Sequence, residues 1–506
     1  MNAQKFVSAC VIMLIAGLSQ AAEKNIIFFI TDDESPTLGC YGDEVAVTPA
    51  IDALAADGTL FTHAFATTAS CSASRSVVMS GLHNHYNGQF GHQHHYHGFT
   101  SFPATLSLAM PRVLARAGYR TAHIGKYHVA PEEVFHYETY LEGPVRNAVL
   151  MAENCRDFII NREDGRPFFL YFATSDPHRG GGKDQDSERE LKPDLFGNKQ
   201  HDEAWPGVKE VLYDSTEVVI PHFLTDTPET REELSQYYQS VSRIDQGLAR
   251  LVSILKEEGL YDKTMIVFTS DHGMAFSGGK TTVYEGGLHV PFVVRNPYNQ
   301  NRGVRTAAMI SHTDITPTLL DFAGGLDHEM NAPTARVNYR DYYKKRGVSE
   351  KDNLDGRHEF NRYHGKSWLH ALGNRDAVHW ETIFASHTFH EIQMYYPMRV
   401  VRDSNYKLIW NIAHQLPYPF ASDLWTASSW QAQMRKGKDA MYGKKTVEQY
   451  IFRDRFEFFN IKNDPYESKN LANDPKYTQS LERYKSILKE YQKAMGDPWI
   501  MKWDYE

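Results

Sequence analysis

Cysteine is scarce in this chain. Four in 506 residues are too few for a disulfide framework. Long apolar runs are missing too. No segment reaches the roughly 18 apolar residues that mark a membrane-spanning helix, so no stable membrane span is expected. Nor is there a strong charge of either sign. The 54 basic and 63 acidic side chains leave a net charge of −9, which gives no sign of a nucleic-acid or general polyanion binder. An anionic substrate would have to be met by a local cationic pocket. Internal repeats are absent, and the only biased tract is a histidine-rich loop. The chain as a whole is 42% hydrophobic and 13% aromatic, as in a well-packed globular enzyme, and too long for one ordinary hydrophobic core.

The N-terminus reads as a secretory signal over residues 1–21. Lys5 supplies the basic start, Ala9 to Leu18 the apolar stretch and Ser19-Gln20-Ala21 the cleavage site. The mature protein is therefore expected to be secreted or periplasmic, or lysosomal if the source is a eukaryote. Cleavage removes Cys10 and leaves Cys40, Cys71 and Cys155. Whether Cys40 and Cys155 pair is open at this point, since sequence does not place them within bonding distance.

Apolar runs alternate with helical periodicity over most of the chain. Asn25 to Ile30 and Phe168 to Ala173 are continuous apolar stretches of the kind buried on both faces of a parallel sheet, as is Met265 to Phe268. Thr48-Pro49 opens one helix. Pro111 to Ala117 forms another, before a strand from Tyr119 to Ile124. A long helix starting at Thr227-Pro228 carries Leu234, Tyr238, Val241, Leu248 and Leu255 at helical spacing. This pattern predicts a doubly wound, mostly parallel α/β domain over residues 22–375. Ala332 to Arg375, polar and charged, is expected to be a linker or excursion. Short strand-like runs and a terminal helix near Gln479 to Met495 then suggest a smaller antiparallel α+β subdomain over 376–506.

In such sheets ligands sit beyond the carboxyl ends of the strands. Four strands here release chemically capable residues at that end: Asp32 and Asp33, Lys126 and His128, His178, and Asp271 and His272. Four on one edge point to a single site. Asp32, Asp33 and Asp271 form an oxygen-rich set suited to a hard divalent cation such as Ca²⁺. His272 is less decided, because nitrogen suits Zn²⁺ or Mn²⁺ better. His128 and His178 titrate near neutrality and are the acid–base candidates.

Cys71-Ser72-Ala73-Ser74-Arg75 and its continuation to Gly81 resemble the motif by which sulfatases mark the cysteine that becomes formylglycine. Gly125-Lys126-Tyr127-His128 is similar to the second sulfatase signature. Asp314 to Leu320, Asp464-Pro465-Tyr466-Glu467 and Asn470-Leu471-Ala472 match further landmarks, so the likeness covers nearly the whole mature chain. Within the family it is nearest to the heparan N-sulfatase (sulfamidase) branch, through Gly125 to Glu132, Asp176-Pro177-His178-Arg179, His390-Glu391 and Pro397-Met398-Arg399.

The resemblance implies a sulfatase of the alkaline phosphatase-like fold, hydrolysing N-sulfate from glucosamine of heparin or heparan sulfate. A formylglycine hydrate made from Cys71 would offer one hydroxyl to attack sulfur and a second whose deprotonation expels sulfate. It further implies one Ca²⁺ held by Asp32, Asp33, Asp271 and His272, completed by the modified Cys71. Arg75, Lys126 and His128 would hold and activate the hydrate, with His178 and Lys280 beside the leaving group. Three positions depart from the pattern. Ala73 replaces the commoner proline, Lys280 stands for the arginine of sulfamidases, and His272 replaces their asparagine. Calcium remains the expected metal, because other sulfatases place histidine there. The implied partners are a sulfated glycan and a formylglycine-generating enzyme, with a homodimer left open. An O-sulfatase and a phosphate or phosphonate monoester hydrolase are the alternative enzymes, and a non-catalytic glycan-binding protein is the alternative if Cys71 is never converted.

The histidine-rich loop (His83, His85, His92, His94, His95 and His97) has no zinc-site spacing. It is expected to face solvent or to border the substrate pocket.

Overall fold

A computed structural model describes residues 24–93, 98–161, 164–180, 193–199, 205–347 and 360–505. The signal sequence and His94, His95 and His97 lie outside the described residues. An eight-stranded sheet forms the centre. In chain order its strands are β1 (Asn25–Thr31), β2 (Thr59–Phe61), β3 (Arg120–Gly125), β4 (Thr139–Leu141), β5 (Phe168–Ala173), β6 (Thr264–Ser270), β7 (Phe292–Arg295) and β8 (Val304–Thr306). Across the sheet they run β4-β3-β5-β1-β6-β7-β2-β8. The first five in that order are mutually parallel, and β7 alone runs against its neighbours. The doubly wound, mostly parallel expectation is met.

The apolar runs are continuous because both faces of the sheet are covered. Along β1, Ile26, Phe28 and Ile30 enter one core while Ile27 and Phe29 enter the other. Helices α1 (Pro49–Ala56) and α4 (Pro228–Glu257) bury Ile51, Leu54, Leu234, Val241, Leu248 and Leu255 in the second of these. Helices α2 (Cys71–Ser80), α3 (Met110–Arg116) and α5 (Ile315–Phe322) cover the opposite face through Val78, Val113 and Leu319. The Thr227 hydroxyl accepts from the Thr230 N–H at 3.2 Å, a cap that fixes where α4 begins.

Strands β9 (Ile383–His387), β10 (Met398–Arg402), β11 (Lys407–Asn411) and β12 (Phe456–Phe459) form an antiparallel sheet in sequence order. One face, with Ala385, Met398, Val400 and Ile409, belongs to the same core as α4. The other, with Val401, Leu408, Trp410 and Phe458, is covered by Leu481, Tyr484 and Leu488 of helix α6 (Thr478–Ala494). The segment read as a linker is more firmly packed than its polarity suggests. It inserts Phe360, Tyr363 and Trp368 into the core on the α2 side, where Trp368 meets Phe292 edge-on at 5.6 Å.

Gly125 ends β3 at φ 91°, a left-handed conformation that glycine adopts without steric cost. A Cβ there would lie 1.9 Å from the Ala173 carbonyl oxygen, which accepts from the Lys126 N–H at 2.9 Å. Gly125→Ala is expected to cost about 3 kcal/mol of stability, read from the denaturant midpoint.

Candidate active site

The parallel register pairs Thr31 with Ser270, so Asp32 and Asp271 leave the sheet together at its carboxyl edge. The Asp271 N–H donates to the Thr31 carbonyl at 3.1 Å. Asp33 then turns at φ 67°, and its N–H donates to Asp271 Oδ1 at 3.0 Å. Cys71 opens α2, with Ser70 extended before it. Its Sγ lies 3.6 Å from Asp33 Oδ1 and 3.3 Å from His272 Nε2. The helix N-terminus therefore aims its unpaired N–H groups, which favour an anion, at the place where the carboxylates converge.

Three cations interlock with the three carboxylates. Arg75 Nε donates to Asp271 Oδ2 at 2.9 Å, and its Nη2 donates to Asp32 Oδ1 at 3.2 Å. Lys126 Nζ closes on Asp32 Oδ2. Lys280 Nζ lies 2.9 Å from Asp33 Oδ2 and 2.8 Å from His178 Nε2. Asp32, Asp33, Cys71, Arg75, Asp271 and His272 are all fully buried. Burial pushes Asp32 and Asp33 upward, but the adjacent cations, Lys126 and Lys280 respectively, outweigh it and hold both below the usual carboxylate range. At Asp271 burial wins over Arg75 and lifts the carboxyl to about 6. Burial likewise drives the Cys71 thiol well above its ordinary value.

The donor set fits a hard divalent cation. Ligand atoms of Asp33, Cys71 and His272 lie within 4.8 Å of one another, as do those of Asp32, Cys71 and Asp271. His272 Nδ1 meets the Gly273 carbonyl at 2.9 Å, so the ring proton sits there. The Nε2 lone pair then faces Asp33 Oδ1 at 3.1 Å. Two acceptors at that distance need a proton or a cation between them.

His178 and Lys280 thus join the strand-end carboxylates, His178 being one of the strand-end candidates and Lys280 a residue that only the family resemblance had pointed to. His128 stands at φ 52°, with its ring 4.7 Å from that of His92. Ligand atoms of Cys71, His92 and His128 also cluster within 4.8 Å.

Several neighbours were not anticipated. Asp423 accepts from Lys280 Nζ at 2.9 Å. His390 Nδ1 lies 3.1 Å from the Ser70 hydroxyl, and its ring is tilted 54° against that of His92 with centroids 3.7 Å apart. His390 had a signal in the motif resemblance, whereas Asp423 had none. Of the two expectations for the histidine loop, the solvent-facing one does not hold for His83, His85 and His92, which are buried, while His92 lies beside Cys71 and His128. His83 stacks on His85 at 5.5 Å and packs edge-on to Tyr491, and burial lowers His85 to about 4. Imidazole rings bury readily when other rings cover their faces. Cys40, Cys71 and Cys155 are unpaired.

The sequence model of the Sulfatase family matches residues 24–325. Together with this fold and site, the match makes the chain a member of the sulfatase family of hydrolases. The human protein N-sulphoglucosamine sulphohydrolase is 33% identical over 505 residues, covering 97% of this chain and 94% of that one. An ulvan-active sulfatase of Formosa agariphila is 27% identical, covering 95% of this chain and 82% of its own.

Among solved structures, one protein in complex with its substrate D-glucosamine-2-N,6-O-disulfate superposes with a TM-score of 0.61 at 18% identity, over 94% of this chain and 99% of that one. The phosphonate monoester hydrolase of Agrobacterium radiobacter superposes with 0.60 at 17% identity, over 93% and 96%. These likenesses establish a shared fold. Among the described residues, no helix is long and apolar enough to cross a membrane.

Proposed function

We propose that this protein is an exported, formylglycine-dependent sulfatase that removes the N-sulfate of glucosamine residues in a sulfated glycan. The observation that carries the reading is a buried cysteine at a helix start, ringed by three carboxylates and three cations. The chain that holds it aligns over 97% of its length with a human N-sulphoglucosamine sulphohydrolase. Burial keeps the Cys71 thiol protonated, and a protonated thiol is a poor nucleophile, so the reading requires its conversion. Converted by a separate maturation enzyme, the residue would supply a hydroxyl nucleophile in its hydrated form. Asp32, Asp33, Asp271 and His272 would hold one Ca²⁺, which supplies fixed positive charge for sulfate oxygens.

The other roles fall to this chain's own groups. Arg75 and Lys126 hold the carboxylates in place and add positive charge around the sulfuryl group. His178 is the proton donor to the leaving atom. Its Nδ1 donates to the Arg179 carbonyl at 2.6 Å and its Nε2 accepts from the Lys280 ammonium at 2.8 Å, so the proton it passes on through Nε2 is drawn from Lys280. A positioned acid of this kind contributes about 10²–10⁴ in rate. His128, on the opposite side near His92, handles the proton exchanged during sulfate release.

A panel of N-, 2-O- and 6-O-sulfated disaccharides tests the reading, alongside the intact mass of the Cys71 peptide. Release from the N-sulfated substrate is expected to exceed the others by about 10²-fold or more. Preference for an O-sulfate makes the chain an O-sulfatase, and preference for a phosphonate monoester makes it a relative of the hydrolase with the same fold. Unconverted Cys71 with glycan binding but no turnover leaves the non-catalytic alternative.

A further inference from the structure

Lys280 spends its three N–H bonds on Asp33 Oδ2 at 2.9 Å, His178 Nε2 at 2.8 Å and Asp423 Oδ2 at 2.9 Å. These four groups are unequally wet. The side chains of Asp33 and Lys280 are 0% and 1% exposed, whereas His178 keeps 24% and Asp423 18%. The carboxylate Asp33 and the ammonium therefore form the floor, and His178 and Asp423 form the accessible rim. Asp423 comes from the far end of the chain, on a single helical turn, Ser422–Trp425, that Leu424 anchors in the core. Its Oδ1 accepts from the Leu424 N–H at 3.0 Å. Each oxygen has further lone-pair capacity.

An atom expelled from sulfur at this rim meets an imidazole that can protonate it and a carboxylate. The carboxylate distinguishes leaving atoms by the sign of their charge. An ester oxygen departs negative or neutral, so a carboxylate beside it is repulsive or idle. A sulfamate nitrogen already bears an N–H, departs as an amine and becomes an ammonium at neutral pH.

We propose that Asp423 is a specificity-determining residue of this sulfatase, accepting the N–H of a sulfamate nitrogen and holding the ammonium of the product, so that N-sulfates are favoured over O-sulfates. The inference rests on the N-sulfate reading above. In the step concerned a hydroxyl oxygen of the hydrated residue 71 would bond to sulfur as the S–N bond breaks, and nitrogen takes both electrons of that bond. One proton comes from the Lys280 ammonium, passed on through His178 Nε2, and a second from solvent. Overall, R–NH–SO₃⁻ and water give R–NH₃⁺ and SO₄²⁻, with atoms and charge balanced.

The test compares kcat/KM for N-sulfoglucosamine and for 4-nitrophenyl sulfate in the wild type, Asp423→Asn and Asp423→Glu. Loss of the Lys280 partner slows both reactions, so the readout is the ratio of the two. Asp423→Asn is expected to lower the sulfamate-to-aryl ratio about 10- to 100-fold, the size of a charge-assisted hydrogen bond, and Asp423→Glu to restore most of it. Equal losses on both substrates would mean that Asp423 only steadies Lys280, and would overturn the proposal. A second readout needs no variant. Glucosamine should inhibit wild-type aryl sulfate turnover about tenfold more strongly than neutral N-acetylglucosamine, and equal inhibition counts against the assignment. A wild type that cleaves the aryl sulfate but no sulfamate overturns the N-sulfate reading itself, and the assignment with it.

Discussion

Cys71→Ala is expected to abolish sulfate release, by on the order of 10⁶-fold as when a hydrolase loses its nucleophile, while the fold survives. The side chain is fully buried but packs against polar atoms, Asp33 Oδ1 and His272 Nε2, rather than within an apolar core. Alanine is an excellent helix former and suits the first turn of α2. The thermal midpoint should therefore move by only a few degrees, since about 1 kcal/mol is spread over a large unfolding entropy. Near-native sulfate release from a purified alanine variant would show that the sulfuryl group is attacked from elsewhere.

The second large effect concerns charge. Asp271→Asn should reduce bound calcium to well below one per chain and lower activity by at least about 10²-fold. Asp32, Asp33 and Asp271 are matched one for one by Arg75, Lys126 and Lys280. A neutral amide at 271 therefore leaves Arg75 partly unpaired in a buried place, and a cation arriving there meets more repulsion than attraction. Elemental analysis reads the metal directly. Independently of turnover, the wild-type melting temperature should rise with added Ca²⁺ and fall with chelator, because a ligand that binds only the folded state stabilises it. That response should be much reduced in Asp271→Asn. Stoichiometric zinc without calcium in the wild type would instead show that the His272 nitrogen had selected the ion.

Much of this arrangement is legible in the chain because it is local to strand ends. Asn25 to Ile30 is apolar without alternation because both its faces are covered, and the polar residues that follow it must sit at the sheet edge. Lys126, His178 and Asp271 obey the same logic. Asp423 does not. It lies on one short turn with no periodicity, and its partner Lys280 is 143 positions away, so only the packed chain brings them together. The buried histidines escape sequence reading for a related reason. His92 is covered by His390 and His83 by Tyr491, partners nearly three hundred positions or more downstream. Trp368 gave a sharper warning, since a tryptophan inside a charged segment is rarely left in water.

Asp33, His128 and Thr281, the residue after Lys280, all adopt positive φ, at 67°, 52° and 64°. None is a glycine, and such a conformation costs an L-residue roughly 1–2 kcal/mol. The three together approach a sizeable part of the roughly 5–15 kcal/mol by which ordinary domains stay folded. The working end of the sheet is thus held under tension by the rest of the molecule. Selection for heat resistance alone would tend to relax these positions toward glycine or asparagine, yielding a sturdier protein with a slacker grip on its own reactive groups.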